Sequence, residues 1–206
     1  MSNSEAVNGI VISTPMKERI VYENQAFERA ASDADKLPAG DFDGCSFSGW
    51  DLSNSDLSSV RFTDCRFEGC NLSMSTLKGT VFSNAFFRDC KMLGLRFDEC
   101  HRIPFIVGFE NCVLDFCTFT GMALRKSVFR NCQIQEADFS EADLGEAVFN
   151  GSRLPGSLFE RTNLEKADFR DSQCFNIDPA ANRMRKAKFS SDGLKGLLGK
   201  YGLEIE

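Results

Sequence analysis

At 206 residues and 23.0 kDa the chain is long enough for one domain with a substantial core. A net charge of −6 and a pI near 5.0 exclude direct nucleic-acid binding, which needs a surplus of Lys and Arg to meet phosphates, and suit a basic partner instead. No apolar run approaches the roughly 20 residues that span a bilayer, and MSNSEAVNGIVISTP lacks the zones of a signal peptide, so a cytoplasmic protein without membrane association is expected.

After an N-terminal tail, residues 1–19, the chain divides into fives. Residues 20–39 read IVYEN, QAFER, AASDA and DKLPA, an imperfect first coil with Tyr22, Phe27 and Leu37 in register and a miss at Ser32. From there Phe42, Phe47, Leu52, Leu57, Phe62, Phe67, Leu72, Leu77, Phe82, Phe87, Met92 and Phe97 recur every five residues without a polar member. A second run follows: Phe109, Leu114, Phe119, Leu124, Phe129, Ile134, Phe139, Leu144, Phe149, Leu154, Phe159, Leu164 and Phe169. Two residues before each stands a mostly small side chain, with Trp50, Leu95 and Met122 as exceptions.

A period of five fits neither the 3.6 of an α-helix nor the 2.0 of an ordinary strand. It fits a chain that turns a corner every five residues and directs two of the five inward. Before residue 100 the large positions run Phe, Phe, Leu, Leu and repeat, so like recurs over like every 20 residues and four sides close each coil. Phe42, Phe62 and Phe82 then form one column and Phe47, Phe67 and Phe87 the next, with Phe109, Phe129, Phe149 and Phe169 continuing the core at the strand spacing of about 4.8 Å. Twenty Phe beside 2 Tyr and 1 Trp suit an interior that takes phenyl rings without polar handles. The frame breaks once, between Phe97 and Phe109, where residues 100–106 hold either a two-residue insertion or a three-residue deletion. Met184 and Phe189 keep the second frame while Cys174 and Pro179 weaken it, so the repeat domain is assigned to residues 20–191.

Residues 192–206 form a C-terminal segment. Ser190 or Ser191 can cap a helix in which Leu194, Leu197, Leu198 and Tyr201 follow at i, i+3, i+4 and i+7. Gly202 suits its left-handed end. Leu203 and Ile205 alternate with Glu204 and Glu206 as in an exposed strand, and the excess apolar surface predicts a homodimer interface made of Leu194, Leu197, Leu198, Tyr201, Leu203 and Ile205.

Eight of nine cysteines (Cys45, Cys65, Cys70, Cys90, Cys100, Cys112, Cys117 and Cys132) occupy the small inward slot, where a reduced thiol serves as an apolar filler. The single His101 beside Arg102 leaves neither a catalytic residue set nor a metal site, and no phosphate-cradling loop of the P-loop type appears, so neither enzyme nor cofactor is expected. The densest acidic stretch is Glu136, Asp138, Glu141, Asp143 and Glu146, with no base between Arg130 and Arg153. Such a coil can imitate phosphates and attract a basic groove, or merely keep the rod solvated.

Units such as ADFSE, ADLGE, CNLSM and ADFRD resemble the A-D/N-L/F-x-x pattern of pentapeptide-repeat proteins, over about residues 20–191. That resemblance implies an all-β fold, a right-handed quadrilateral parallel β-helix, here followed by a short C-terminal α-helix. DCKMLGLRFDEC and NIDPAANRMRKAKFSSDGLKGLLGKYGLEIE resemble the topoisomerase-protecting branch, which includes the quinolone-resistance (Qnr) type and the microcin- and albicidin-immunity proteins. The resemblance implies a DNA-mimicking homodimer, joined at its C-terminal end, that binds DNA gyrase or topoisomerase IV and modulates it or protects it from inhibitors. The alternative is a general interaction scaffold with another partner.

Overall fold

In the computed structural model of the chain, the described residues are 19–28 and 37–204. They wind into a four-sided parallel β-helix of about eight turns. The strands are short because each side is only five residues long. Side 1 carries β1 (Val21–Glu23), β3 (Asp41–Asp43), β5 (Arg61–Thr63) and β7 (Val81–Ser83), stacked in that order. Side 2 carries β2 (Ala26–Glu28), β4 (Ser46–Ser48), β6 (Arg66–Glu68), β8 (Ala85–Arg88), β9 (Val107–Glu110) and β10 (Val128–Arg130), with β11 (Asp168–Phe169) and β12 (Lys188–Phe189) further along. The register repeats the period of 20: Phe42 lies beside Phe62, Phe62 beside Phe82 and Phe47 beside Phe67. Isolated parallel bridges such as Asp56 with Thr76 and Thr118 with Asp138 continue the stacking on the other sides.

Every central residue of both five-residue runs is buried. Rings in one column lie nearly parallel, with centroids 4.7 Å apart for Phe67 and Phe87 and 4.8 Å for Phe129 and Phe149, while neighbouring columns meet edge to face. Each such pair adds about 0.5–1.5 kcal/mol to the burial of the rings. Except at Phe97, which opens a 3₁₀ turn, the residue two after each centre of the two runs turns the corner with φ near +60°, as at Gly44, Asn54, Asp64 and Glu141. Left-handed backbone at these sites explains why Gly, Asn and Asp recur there.

The break is an insertion. Phe87 lies beside Phe109, 22 residues away, so the coil holds two extra residues. They belong to a loop on side 1 with a cis Ile103–Pro104 bond, and Phe105 turns inward to fill the place that the lost pentad centre would occupy. Phe97 stacks on Phe119 at 4.6 Å and meets Phe82, Phe105 and Phe109, so here the second ring column leaves side 1 for side 4.

The C-terminal segment differs from the α-helix expected of it. It is helical but wound as 3₁₀, in Ser191–Leu197 and Gly199–Tyr201. Gly193, Gly196 and Gly199 recur every three residues, the 3₁₀ repeat. That period brings them over Phe175 and Asn176: a Cβ on Gly193 would stand 3.1 Å from the Phe175 ring, and one on Gly196 would overlap the Phe175 carbonyl oxygen. Ile177 N donates to Gly196 O at 2.9 Å, binding the segment to the last coil. Phe175, one residue past the exposed Cys174, supplies the inward side chain there. Ser32 and Ile205 lie outside the described residues. No helix among the described residues is long and apolar enough to cross a membrane.

Candidate functional site

The five carboxylates of the acidic stretch follow the circumference of one coil, across three of its sides. Glu136, Glu141 and Glu146 are the left-handed corner residues after Ile134, Phe139 and Leu144, and Asp138 and Asp143 open the sides between them. Glu136 and Glu141 are exposed, and the other three are half-buried.

Most of this charge is already engaged. Asp138 accepts from Ser140 N at 2.8 Å and Thr120 Oγ1 at 3.0 Å. Its burial acts the other way, but these hydrogen bonds hold it below the usual carboxylate range. Asp143 accepts from Gly145 N at 3.1 Å and from Asn163 Nδ2 at 2.6 Å. Arg161 contacts Glu141 at 2.6 Å, and Arg125 contacts Glu146 at 2.9 Å. Glu136 has only Gln135, whose Nε2 donates at 3.2 Å, and meets no base among the described residues. The two Asp therefore shape the sides of the coil, and the three corner Glu supply the outward charge.

The second surface is the C-terminal end. Leu194 (48% exposed), Leu198 (37%), Tyr201 (61%) and Leu203 (58%) leave large apolar area open, whereas Leu197 packs partly on the core. Leu194, Leu197, Leu198 and Tyr201 line an open groove of about 570 Å³ together with Pro179, Ala180 and Lys200. Lys200 is anchored to Asp178 at 2.6 Å. Sequence reasoning missed Pro179 and Ala180, because Pro179 reads as a weakened pentad centre; it is exposed here and turned to the groove.

Met74 and Phe116 were also missed. They occupy left-handed corners on one edge, two coils apart, and are 62% and 52% exposed. The signal was present, since most other corners hold Gly, Asn, Asp, Ser, Glu or Lys.

All nine cysteines are free thiols, eight buried and Cys174 exposed. Cys70, Cys90, Cys112 and Cys132 occupy one slot in four successive coils, a longer column than spacing by 20 alone would pair, because the insertion keeps Cys90 over Cys112. Burial pushes Cys65 and Cys117 up to about 12. Hydrogen bonding to Cys112, then burial, raises Cys132. Such thiols stay protonated and inert. His101 is exposed on the loop, and no cluster of metal-ligating side chains occurs among the described residues.

Comparison with known proteins agrees with this architecture. A family profile described as a pentapeptide repeat region matches residues 60–139, and one described as pentapeptide repeats (8 copies) matches residues 41–73 and 142–173. No curated protein matches the sequence. Among solved structures, a trypsin-treated variant of QnrB1, a plasmid-mediated fluoroquinolone resistance protein, is 18% identical over 91% of this chain and 98% of its own, with a TM-score of 0.52. HetL, a pentapeptide repeat protein involved in heterocyst differentiation regulation from the cyanobacterium Nostoc, is 14% identical over 82% of each chain, with a TM-score of 0.52. At these identities the likeness is one of fold.

Proposed function

Because this chain belongs to the pentapeptide-repeat family, with repeats matched across most of its length, we propose that it acts without catalysis, by binding another protein along its sides, and that this partner is DNA gyrase or its relative topoisomerase IV. The observation that carries the reading is a straight stacked wall on which 20 Asp and Glu face 14 Lys and Arg between Asp41 and Asp171. A basic groove built for duplex DNA would meet an object of like outline and sign. The likeness to a fluoroquinolone resistance protein supports the choice of partner.

Charge density limits how far electrostatics alone can act. Eight coils at about 4.8 Å make a rod of roughly 40 Å, so the net −6 amounts to about one charge per 7 Å, against one per about 1.7 Å for duplex DNA. Shape and local contacts, such as the exposed Glu136 and Glu141, must supply the rest. The open C-terminal groove supports homodimerisation through that end, which doubles the length of the rod.

A second reading, a scaffold for some other protein, is favoured by the pairing of Glu141 and Glu146 with Arg161 and Arg125. A gyrase supercoiling reaction with and without a fluoroquinolone separates the two. Modulated supercoiling, or activity restored in the presence of the drug, is the expected result; no effect at any concentration supports the scaffold.

A further inference from the structure

The edge that carries Met74 and Phe116 is built unlike the other three. Met74 N donates to Leu93 O at 2.8 Å, Gly94 N to Asp115 O at 2.9 Å, Phe116 N to Gln135 O at 2.8 Å and Glu136 N to Pro155 O at 2.9 Å, so Met74, Gly94, Phe116, Glu136 and Gly156 mark one corner on successive coils. All five are left-handed, with φ from 51° to 70°. Gly and Asn take that backbone readily, as Asn54 does one coil before Met74; large side chains take it rarely. Among the described residues no other left-handed corner carries a large apolar side chain, and since both are exposed, packing of the wall does not account for them.

The glycine between them shapes the edge. A Cβ on Gly94 would stand 2.6 Å from Met74 Sδ, so the thioether lies over the glycine and runs towards the coil of Phe116. The acid beyond follows the same plan, since a Cβ on Gly156 would stand 3.0 Å from Glu136 Cγ. Glu136 meets no base among the described residues, and Arg96, two residues past Gly94, is taken up by Asp98 and Glu99. Leu158, two residues past Gly156, is exposed as well. Along the rod the edge thus offers two apolar groups, an unpaired acid and a third apolar group.

Met74 and Phe116 are two coils apart, about 10 Å at the strand spacing. Seven residues of an α-helix rise about 10.5 Å, and the holes between side chains on its surface recur at that interval. We propose that this edge is a docking site for an α-helix of another protein, independent of the partner proposed above. Met74 and Phe116 enter holes one heptad apart, and a Lys or Arg one turn further along the helix meets Glu136. Leu158, two coils beyond Phe116, falls close to the next heptad. An extended peptide suits the edge less well, because its side chains recur on one face at about 7 Å, out of step with the coils.

A library of single α-helices displayed on a monomeric scaffold, selected against the immobilised full chain, tests the site. Enriched helices should repeat apolar residues at intervals of seven, with a Lys or Arg about ten or eleven residues after the first. Titrated as purified peptides, they should bind at least tenfold more weakly to Met74→Asn or Phe116→Asn, and several-fold more weakly to Glu136→Gln, with less dependence on salt. Asn suits left-handed backbone, so the urea midpoints of the two Asn variants should stay or rise. A fall in both midpoints would assign these side chains to the wall and overturn the proposal. A selection without enriched helices, or helices that bind every variant alike, would overturn it too. Self-association of the wild type that the Asn variants lose would assign the edge to a second copy instead of a partner helix, with the same consequence.

Discussion

The coils before and after the loop at residues 100–106 enclose the same interior with different walls. Before it, sides 1 and 2 are extended and hold the rings, and the small residue that follows is often a cysteine. Cys45, Cys65, Cys70 and Cys90 each direct Sγ to the carbonyl two residues back, at 3.1–3.5 Å. After it, most sides close with a β-turn. Ala142 N donates to Phe139 O, Ala147 N to Leu144 O and Ser152 N to Phe149 O, at 3.0–3.1 Å. Ring identity does not select the wall, since Phe centres occur in both. The small residue after the centre goes partly with the choice: most thiols accompany the extended side and Ala or Ser the tight turn, while Cys117 closes the turn after Leu114 and Ala85 follows the extended side at Phe82.

The largest expected effect asks whether the interior really is common to both halves. Phe67→Ala and Phe139→Ala remove fully buried rings stacked on both sides. Each should cost about 3–5 kcal/mol in urea unfolding. A loss much smaller in one half would show that its interior is not close-packed.

Next comes the junction of the second half with its cap. Gly196→Ala places a methyl against the Phe175 carbonyl, a backbone atom that cannot swing aside. A loss of about 1–3 kcal/mol is expected, with faster amide exchange confined to residues 191–201. Unchanged exchange there would mean that the glycine stripe does not hold the segment down.

Alkaline pH should probe the buried thiols that line the wall. Unfolded thiols ionise near 8.5, whereas folded Cys65 keeps its proton to about 12. The unfolded state therefore releases protons first, and unfolding free energy falls as pH rises from about 9 towards 12. Cys65→Ala should flatten that slope, while Ala142→Ser in the turn-closed half should leave it unchanged. In the native protein at neutral pH, only Cys174 should react quickly with a thiol reagent.

The smallest effect is on the outer surface. Arg161→Ala removes the contact with Glu141, whose partners are both largely exposed. It should leave the urea midpoint nearly unchanged. A larger loss would make the corner Glu part of the wall instead of its outward charge.

These contrasts also mark what was legible in the residues. The pentad centres and the recurrence at 20 could be read directly, because a narrow square interior tolerates no polar side chain at those points. Insertion and deletion at the loop shift the phase identically, so only the pairing of Phe87 with Phe109 separates them. The leucines of the C-terminal segment point to an α-helix, but the glycines at 193, 196 and 199 carry the packing, and their spacing of three is the better guide. The acidic stretch was visible as a count of carboxylates. Its partners were not, since Arg161 and Arg125 stand 20 and 21 residues from Glu141 and Glu146 and come alongside only when the chain is coiled.

Equilibrium binding of the purified chain to DNA gyrase, followed by displacement with linear duplex DNA, tests the proposed role most directly. Saturable binding at micromolar concentration or below, lost as duplex is added and weakened by Glu136→Gln with Glu141→Gln, is the predicted result. No binding, or binding that duplex DNA leaves untouched, would contradict it.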